Sequence, residues 1–154
     1  MPARAAKPLK RLSDGDYAAL ADFRYELRCF QSFSEQAARE AGLAPQQHQA
    51  LLSIRGAAGA RQTVGDLARR LLIKPNSASE LASRLEEQGL LQKEDSDDRR
   101  LVNLRLADKA EDLLAALSRA HLAELERIGP LLRTLVRQAD AGGVGASDGI
   151  PERR

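Results

Sequence analysis

Residues 63–106 read TVGDLARRLLIKPNSASELASRLEEQGLLQKEDSDDRRLVNLRL, and the order of elements in this stretch decides the fold. Thr63 followed three residues later by Asp66 is a capping box, which supplies acceptors to the backbone N–H groups that a first helical turn leaves unpaired. Val64, Leu67, Ala68, Leu71 and Leu72 then recur at helical spacing and predict one buried face. Pro75 lacks an N–H and disfavours the helical conformation at Lys74, so the helix cannot run on. Proline suits the first position of a new helix instead, and a second helix is predicted from about Pro75 to Gln88, closed by Gly89.

The second helix turns Ala78, Leu81, Ala82 and Leu85 inward, which leaves Asn76, Ser77, Ser79, Glu80, Ser83 and Arg84 on its free face. Short hydroxyls and an amide let a helix backbone lie close against a groove, and Asn, Ser and Arg offer donors and acceptors to base edges and phosphates. The same residue types also serve as ordinary helix-start residues, so this face alone does not decide. Leu90–Glu94 can form one strand, and Leu101–Leu106 alternates, with Val102, Leu104 and Leu106 on one side. Between them DSDDRR forms a polar turn ending in Arg99 and Arg100. On its own such a turn is a solvated loop, but after two short helices it reads as a wing. An arginine at its tip can reach a narrow minor groove, where the negative potential is enhanced. The predicted fold is mainly α with a small β-hairpin wing: a winged helix-turn-helix.

This block resembles the DNA-binding lobe of the MarR (multiple antibiotic resistance regulator) family of transcription factors, and residues 14–139 fit that family's layout. Asp98-Arg99-Arg100 before an alternating strand is similar to the family's D-x-R wing motif. The resemblance implies that Arg100 enters the minor groove and that Asp98 orients it. Two departures stand out. Lys74 occupies a position where the family often has a Ser or Thr cap, and ADKA at 107–110 replaces the usual Thr-Pro-Ala-Gly-like lead into the next helix. Asp108 with Glu111 offers a capping box in its place.

The chain has 154 residues and a formal net charge of +2 with 30% charged residues, room for one ordinary domain and too little excess charge for a polycation. Over residues 61–105 nine basic residues face eight acidic ones, so a basic surface requires geometry to segregate them. A single cysteine excludes an internal disulfide and suits a reducing compartment. There is no signal peptide and no apolar run of membrane-spanning length, so a cytoplasmic protein with no membrane partner is expected.

Residues 1–13 form a basic arm, which either touches DNA phosphates or is a solvated tail. A helix is predicted over about 14–41, with Leu20, Phe23, Leu27, Phe30 and Ala37 on one stripe and Phe33 near it; so rich a stripe needs a partner beyond the small winged block. Cys29 lies beside the stripe, either as a plain packed thiol or, as in some family members, as an oxidant sensor. Pro45 opens a helix with Leu51, Leu52 and Ile54 inside, and His48 reads as a surface or packing residue. After the wing, which completes a winged helix-turn-helix over about 45–107, Asp108 starts a helix carrying Leu113, Leu114, Leu117, His121, Leu125 and Ile128. Gly129-Pro130 should break or kink it, with a final helix on Leu131, Leu132, Leu135 and Val136 reaching about residue 139. Residues 140–154 are expected to be disordered.

Leucine stripes at both ends of the chain predict a two-fold dimer through helices 14–41 and 108–139. On double-stranded DNA, two recognition helices then address a pseudo-palindromic operator. The groups expected to contact DNA are Lys74, Asn76, Ser77, Ser79, Glu80, Ser83, Arg84, Arg99 and Arg100, with Asp98 orienting the wing. The family resemblance implies a repressor released by a small aromatic effector. Phe30, Phe33 and His121 either line its cleft or belong to the core. Two alternatives stay open: a dimeric helical adaptor without DNA binding, and an oxidant-sensing regulator using Cys29. No metal site, cofactor or enzymatic constellation is recognisable.

Overall fold

The computed structural model describes residues 11–141. Its elements are α1 (Asp14–Glu40), α2 (Pro45–Gly56), one 3-10 turn (Ala58–Ala60), β1 (Arg61–Thr63), α3 (Val64–Leu71), α4 (Pro75–Glu87), β2 (Leu91–Asp95), β3 (Val102–Leu106) and α5 (Asp108–Ala141). The described residues fall into two compact units, one of residues 31–123 and one of 11–30 with 124–141. The basic arm lies outside the described residues except at 11–13, where Ser13 caps α1: its hydroxyl accepts from the Asp16 N–H at 3.2 Å and its own N–H donates to the Asp16 carboxylate at 2.7 Å. The tail expected over 140–154 also lies outside, except that α5 continues to Ala141.

The 31–123 unit is built round one apolar cluster. α2 contributes Leu51 and Ile54, α3 Leu67, α4 Leu81 and Leu85, the sheet Leu91, Leu104 and Leu106, and α5 Ala110, Leu114 and Leu117. Three helices converge on a small antiparallel sheet of order β1-β3-β2. The hairpin pairs Leu91 with Leu106 and Glu94 with Asn103, and β1 adds Gln62 opposite Leu104. This third strand was not expected from sequence, because three residues are too few to show alternation and its last, Thr63, doubles as the cap of α3.

That cap forms as a variant of the anticipated box. Thr63 Oγ1 accepts from the Asp66 N–H at 3.1 Å, but the Asp66 carboxylate accepts from the Thr63 hydroxyl rather than from its backbone. Helices α1 and α4 both end on a glycine at positive φ, Gly42 and Gly89, with the following residue bonded back five residues: Leu43 N–H to Ala38 O and Leu90 N–H to Leu85 O, each 2.9 Å.

Four local expectations are corrected. Leu72 is not part of the buried face of α3; it caps the helix in the left-handed region, with its side chain 87% exposed. Leu52 sits on the outer side of α2, because Gln47, His48, Ala50, Leu51 and Ile54 already fill the inner one. Asp108 and Glu111 form no capping box: Ala107 precedes the helix and accepts from the N–H groups of Ala110 and Glu111, while Glu111 pairs with Arg55 at 2.9 Å. Finally, α5 is not interrupted at Gly129-Pro130 and spans 34 residues with Pro130 inside it. Ile128 and Leu135, buried on either side of the proline and seven residues (about two turns) apart, hold a common register across it.

Candidate nucleic-acid interface

Helix α4 begins on Pro75 with Lys74 in extended conformation before it, and no side chain caps its first turn. Its N-terminal amides therefore stay available to an anion, which a helix N-terminus favours through its unpaired donors and dipole. Ala78, Leu81, Ala82 and Leu85 anchor the helix in the core. Burying that face leaves Lys74, Asn76, Ser77, Ser79, Glu80 and Arg84 exposed. Ser83 is the exception in the predicted set. It is half-buried, and its hydroxyl accepts from Lys93 Nζ at 3.3 Å, a lysine that also pairs with Glu86 at 3.0 Å. Lys93 thus ties the hairpin to α4, a role with no signal in the sequence because it depends on the strand register.

At the hairpin tip, Asp98 accepts from the Arg100 backbone N–H through Oδ1 at 3.0 Å, and its carbonyl accepts from the Leu101 N–H at 2.9 Å. Asp98 therefore shapes the turn through the main chain rather than holding the Arg100 guanidinium. Arg99 and Arg100 are both exposed. Charge is segregated by pairing: Asp66 binds Arg69, Glu86 binds Lys93, and Glu94 binds Arg105. Among the described residues Lys74, Arg84, Arg99 and Arg100 enter no ion pair, although Glu80 and Glu87 on α4 are unpaired too.

Away from this face, the 31–123 unit brings His48 and His121 together, 73 residues apart in sequence, with ring centroids 4.8 Å apart. Phe33 meets His121 edge-on at 5.3 Å. His121 Nδ1 lies 2.7 Å from the Leu117 carbonyl and Nε2 2.8 Å from Ser34 Oγ. His48 is 2% exposed, and its Nε2 has no hydrogen-bond partner. Burial first, and the neighbouring His121 second, hold the His48 imidazole below its ordinary pKa. His48 is thus no surface residue; its place three before Leu51, on the inner face of α2, was the signal available in the sequence. Phe30, grouped with Phe33 and His121 from sequence, is half-buried and belongs to the other unit.

In that unit Cys29 is a free, half-buried thiol. A hydrogen bond with Cys29 raises the pKa of the Tyr25 phenol, with smaller contributions from the charges of Cys29 and Glu26. Among the described residues no group of three or more His, Cys, Asp or Glu is placed to hold a metal, and no helix is long and apolar enough to cross a membrane.

Helices α2, α3 and α4 packed on a three-stranded sheet, with α4 free-faced in the helix-turn-helix and followed by an arginine-tipped hairpin, define a winged helix-turn-helix protein. The MarR family model matches residues 41–101, so that stretch of the chain is similar to the MarR family. Its fold is similar to that of AbsC, a MarR family transcriptional regulator from Streptomyces coelicolor, with a TM-score of 0.68 at 21% identity over 86% of this chain and 92% of that one. A MarR family protein from Bacillus stearothermophilus gives 0.66 at 20% identity, covering 85% and 98% of the two chains. Sco3205, a MarR family transcriptional regulator from Streptomyces coelicolor solved in complex with DNA, gives 0.63 at 17% identity over 92% and 98%. A comparison with curated proteins returned no match.

Proposed function

We propose that the protein is a sequence-specific regulator of transcription that binds double-stranded DNA as a homodimer and acts as a repressor. The observation that carries this reading is the conjunction, in one compact unit, of an uncapped α4 N-terminus with a short-side-chain polar face and a wing that exposes Arg99 and Arg100. In this reading Asn76, Ser77, Ser79, Glu80 and Arg84 address base edges and phosphates in the major groove, while Lys74 contacts phosphate and Arg100 enters the flanking minor groove. The likeness to Sco3205, which was solved in complex with DNA, supports DNA as the partner. Dimerisation is supported by the 11–30 and 124–141 unit, where Tyr17, Leu20, Tyr25, Leu27, Leu125, Leu131 and Val136 stay exposed. Two copies related by a two-fold axis would place their α4 helices about one DNA turn apart, roughly 34–36 Å, on a pseudo-palindrome. Release by a small aromatic effector requires that the ligand prefer a different spacing of the two helices.

The test is fluorescence anisotropy on labelled DNA from upstream of the protein's own gene, beside a scrambled duplex, at several salt concentrations. Tight binding that depends on the palindrome and weakens steeply with salt is expected. Arg100→Ala should weaken it at least tenfold without altering the oligomeric state, and full affinity in that variant would remove the wing from the mechanism. Equal, feeble binding to both duplexes, together with a genome-wide pull-down that enriches no site, would favour a helical adaptor.

A further inference from the structure

On α2, Gln49, Leu52, Ser53 and Gly56 recur at helical spacing and form one stripe beside the buried face of Leu51 and Ile54. That stripe walls a cleft of about 440 Å³, within the range of small-molecule sites. Gln62 of β1 and the last residues of α3, Arg70 and Leu71, complete it. All of these residues lie in the 31–123 unit, and Phe33, His48 and His121 take no part in the lining.

The polar groups of the cleft are mainly donors. The Ser53 hydroxyl donates to Gln62 Oε1 at 3.0 Å, which leaves the Gln62 Nε2 hydrogens for another acceptor. Arg70 is exposed and enters no ion pair among the described residues. Acids are scarce around it. Helix α2 and strand β1 contain none, and the one acid of α3, Asp66, is held by the Thr63 hydroxyl and Arg69. Glu111, which α5 brings to α2, is paired with Arg55. Over residues 45–71 four arginines stand against that one aspartate, so charge and donors together favour an anion.

A bare anion is not enough. Helices α2 and α3 both reach the cleft with their C-terminal ends, Gly56 and Leu71, whose dipoles oppose negative charge. The other half of the lining is apolar: Leu52 keeps 47% of its surface, Leu71 is half-buried, and Gly56 and Ala57 leave room beside them. This floor is aliphatic and offers no ring to stack on, and a DNA phosphodiester has no apolar body to lay on it. We propose that the cleft between α2, β1 and α3 binds a small aliphatic monocarboxylate, its carboxylate on the Arg70 guanidinium and the Gln62 amide, its chain over Leu52 and Leu71. The site needs neither DNA nor a second subunit, and so stands apart from the regulator reading.

The full chain is titrated with octanoate at neutral pH by amide-detected NMR, beside octanol, which carries the chain alone, and acetate, which carries the charge alone. The expected result is saturable shifts centred on Gln49, Ser53, Gly56 and Gln62 in the low-millimolar range, with both controls at least tenfold weaker. Arg70→Gln should weaken octanoate at least tenfold and leave octanol unchanged. Gly56→Leu fills the cleft from a position where an added Cβ meets no atom within 4 Å, and should abolish binding. Shifts confined to the exposed leucines of the 11–30 and 124–141 unit, equal binding of either control, or unchanged octanoate affinity in Arg70→Gln or Gly56→Leu would overturn the site. No octanoate binding, with DNA affinity reduced in Arg70→Gln, would overturn it too and make Arg70 a phosphate contact.

Discussion

Leu72→Gly should stabilise the protein, although it removes a large apolar side chain and introduces a residue that weakens helices. Leu72 closes α3 at φ +56 and ψ +41, with its N–H directed at the Ala68 and Arg69 carbonyls and the Ile73 N–H returning to Ala68 O at 3.0 Å. A non-glycine residue in the left-handed region costs about 1–2 kcal/mol. Glycine relieves that cost and gives back about 0.5–1 kcal/mol through the greater freedom of its unfolded chain. The leucine side chain is 87% exposed, so little burial is lost. The net gain is about 0.5–1 kcal/mol. Leu72→Ala keeps the strained backbone and should be neutral within about 0.5 kcal/mol. The converse substitution lies at the end of α4: Gly89 has φ +70 and a Cβ built there meets nothing within 4 Å, so Gly89→Ala should cost about 1 kcal/mol for purely conformational reasons. Urea unfolding at fixed protein concentration reads all three; for a slope of about 1–2 kcal/mol per molar, Leu72→Gly raises the midpoint by roughly 0.25–1 M. A fall comparable to that of Gly89→Ala would refute the reasoning and assign the Leu72 side chain a contact that the isolated chain lacks.

Asp98→Asn retains an oxygen for the Arg100 N–H and should leave operator affinity within about threefold, whereas Asp98→Ala frees the turn and should cost roughly 1 kcal/mol of binding, about fivefold by anisotropy. Equal losses in both variants would show that the carboxylate charge, not the turn, matters. Gln47 accepts from the Ala44 N–H and donates to Gln88 Oε1, each at 3.0 Å, and so ties the start of α2 to the end of α4. Gln47→Ala should lower stability by about 1–3 kcal/mol in a denaturant titration, while Gln47→Glu keeps the first bond and should lose less. The Arg55–Glu111 pair is half-exposed on both sides, so Arg55→Gln should change stability by no more than about 1 kcal/mol.

The winged fold was legible because its signals are local. Thr63-x-x-Asp66, Pro75, Gly89 and the alternation of Leu104 and Leu106 each act within a few residues, and all lie where the pattern places them. What escaped depends on tertiary register. Strand β1 exists only because β3 offers it an edge, Lys93 meets Ser83 only once the hairpin folds onto α4, and His48 meets His121 only when α2 and α5 pack. The break expected at Gly129-Pro130 failed for a related reason. A proline removes one helical hydrogen bond, but Ile128 and Leu135 are buried in the same register on either side of it, and packing outweighs the local preference. Of the site residues, the free face of α4 followed directly from its buried one, while a motif names the residue and not the atom that it binds, so the contact of Asp98 with the Arg100 main chain had no signal of its own.

The apolar residues of the 11–30 and 124–141 unit carry the last consequence. Ala19, Ile128 and Leu135 are buried there, but the larger set of Tyr17, Leu20, Tyr25, Leu27, Leu125, Leu131 and Val136 is exposed, and Leu20 keeps 55% of its surface. Isolated exposed leucines are common on soluble proteins, whereas a run of them along two long helices needs a cover. A second copy supplies one and also gives the pair of α4 helices that a palindromic operator requires. Leu27→Glu places a carboxylate in that proposed interface twice, once per subunit. An unpaired charge there costs at least about 3 kcal/mol, equivalent to a dissociation constant raised more than roughly a hundredfold. Sedimentation equilibrium should find a monomer at micromolar concentration that still melts cooperatively, because the 31–123 unit has its own core. Operator affinity should fall with dimerisation and return when the two chains are linked. A dimer of unchanged strength would place the two-fold contact on another surface, and loss of operator binding in such an intact dimer would mean that Leu27 acts on DNA recognition by another route.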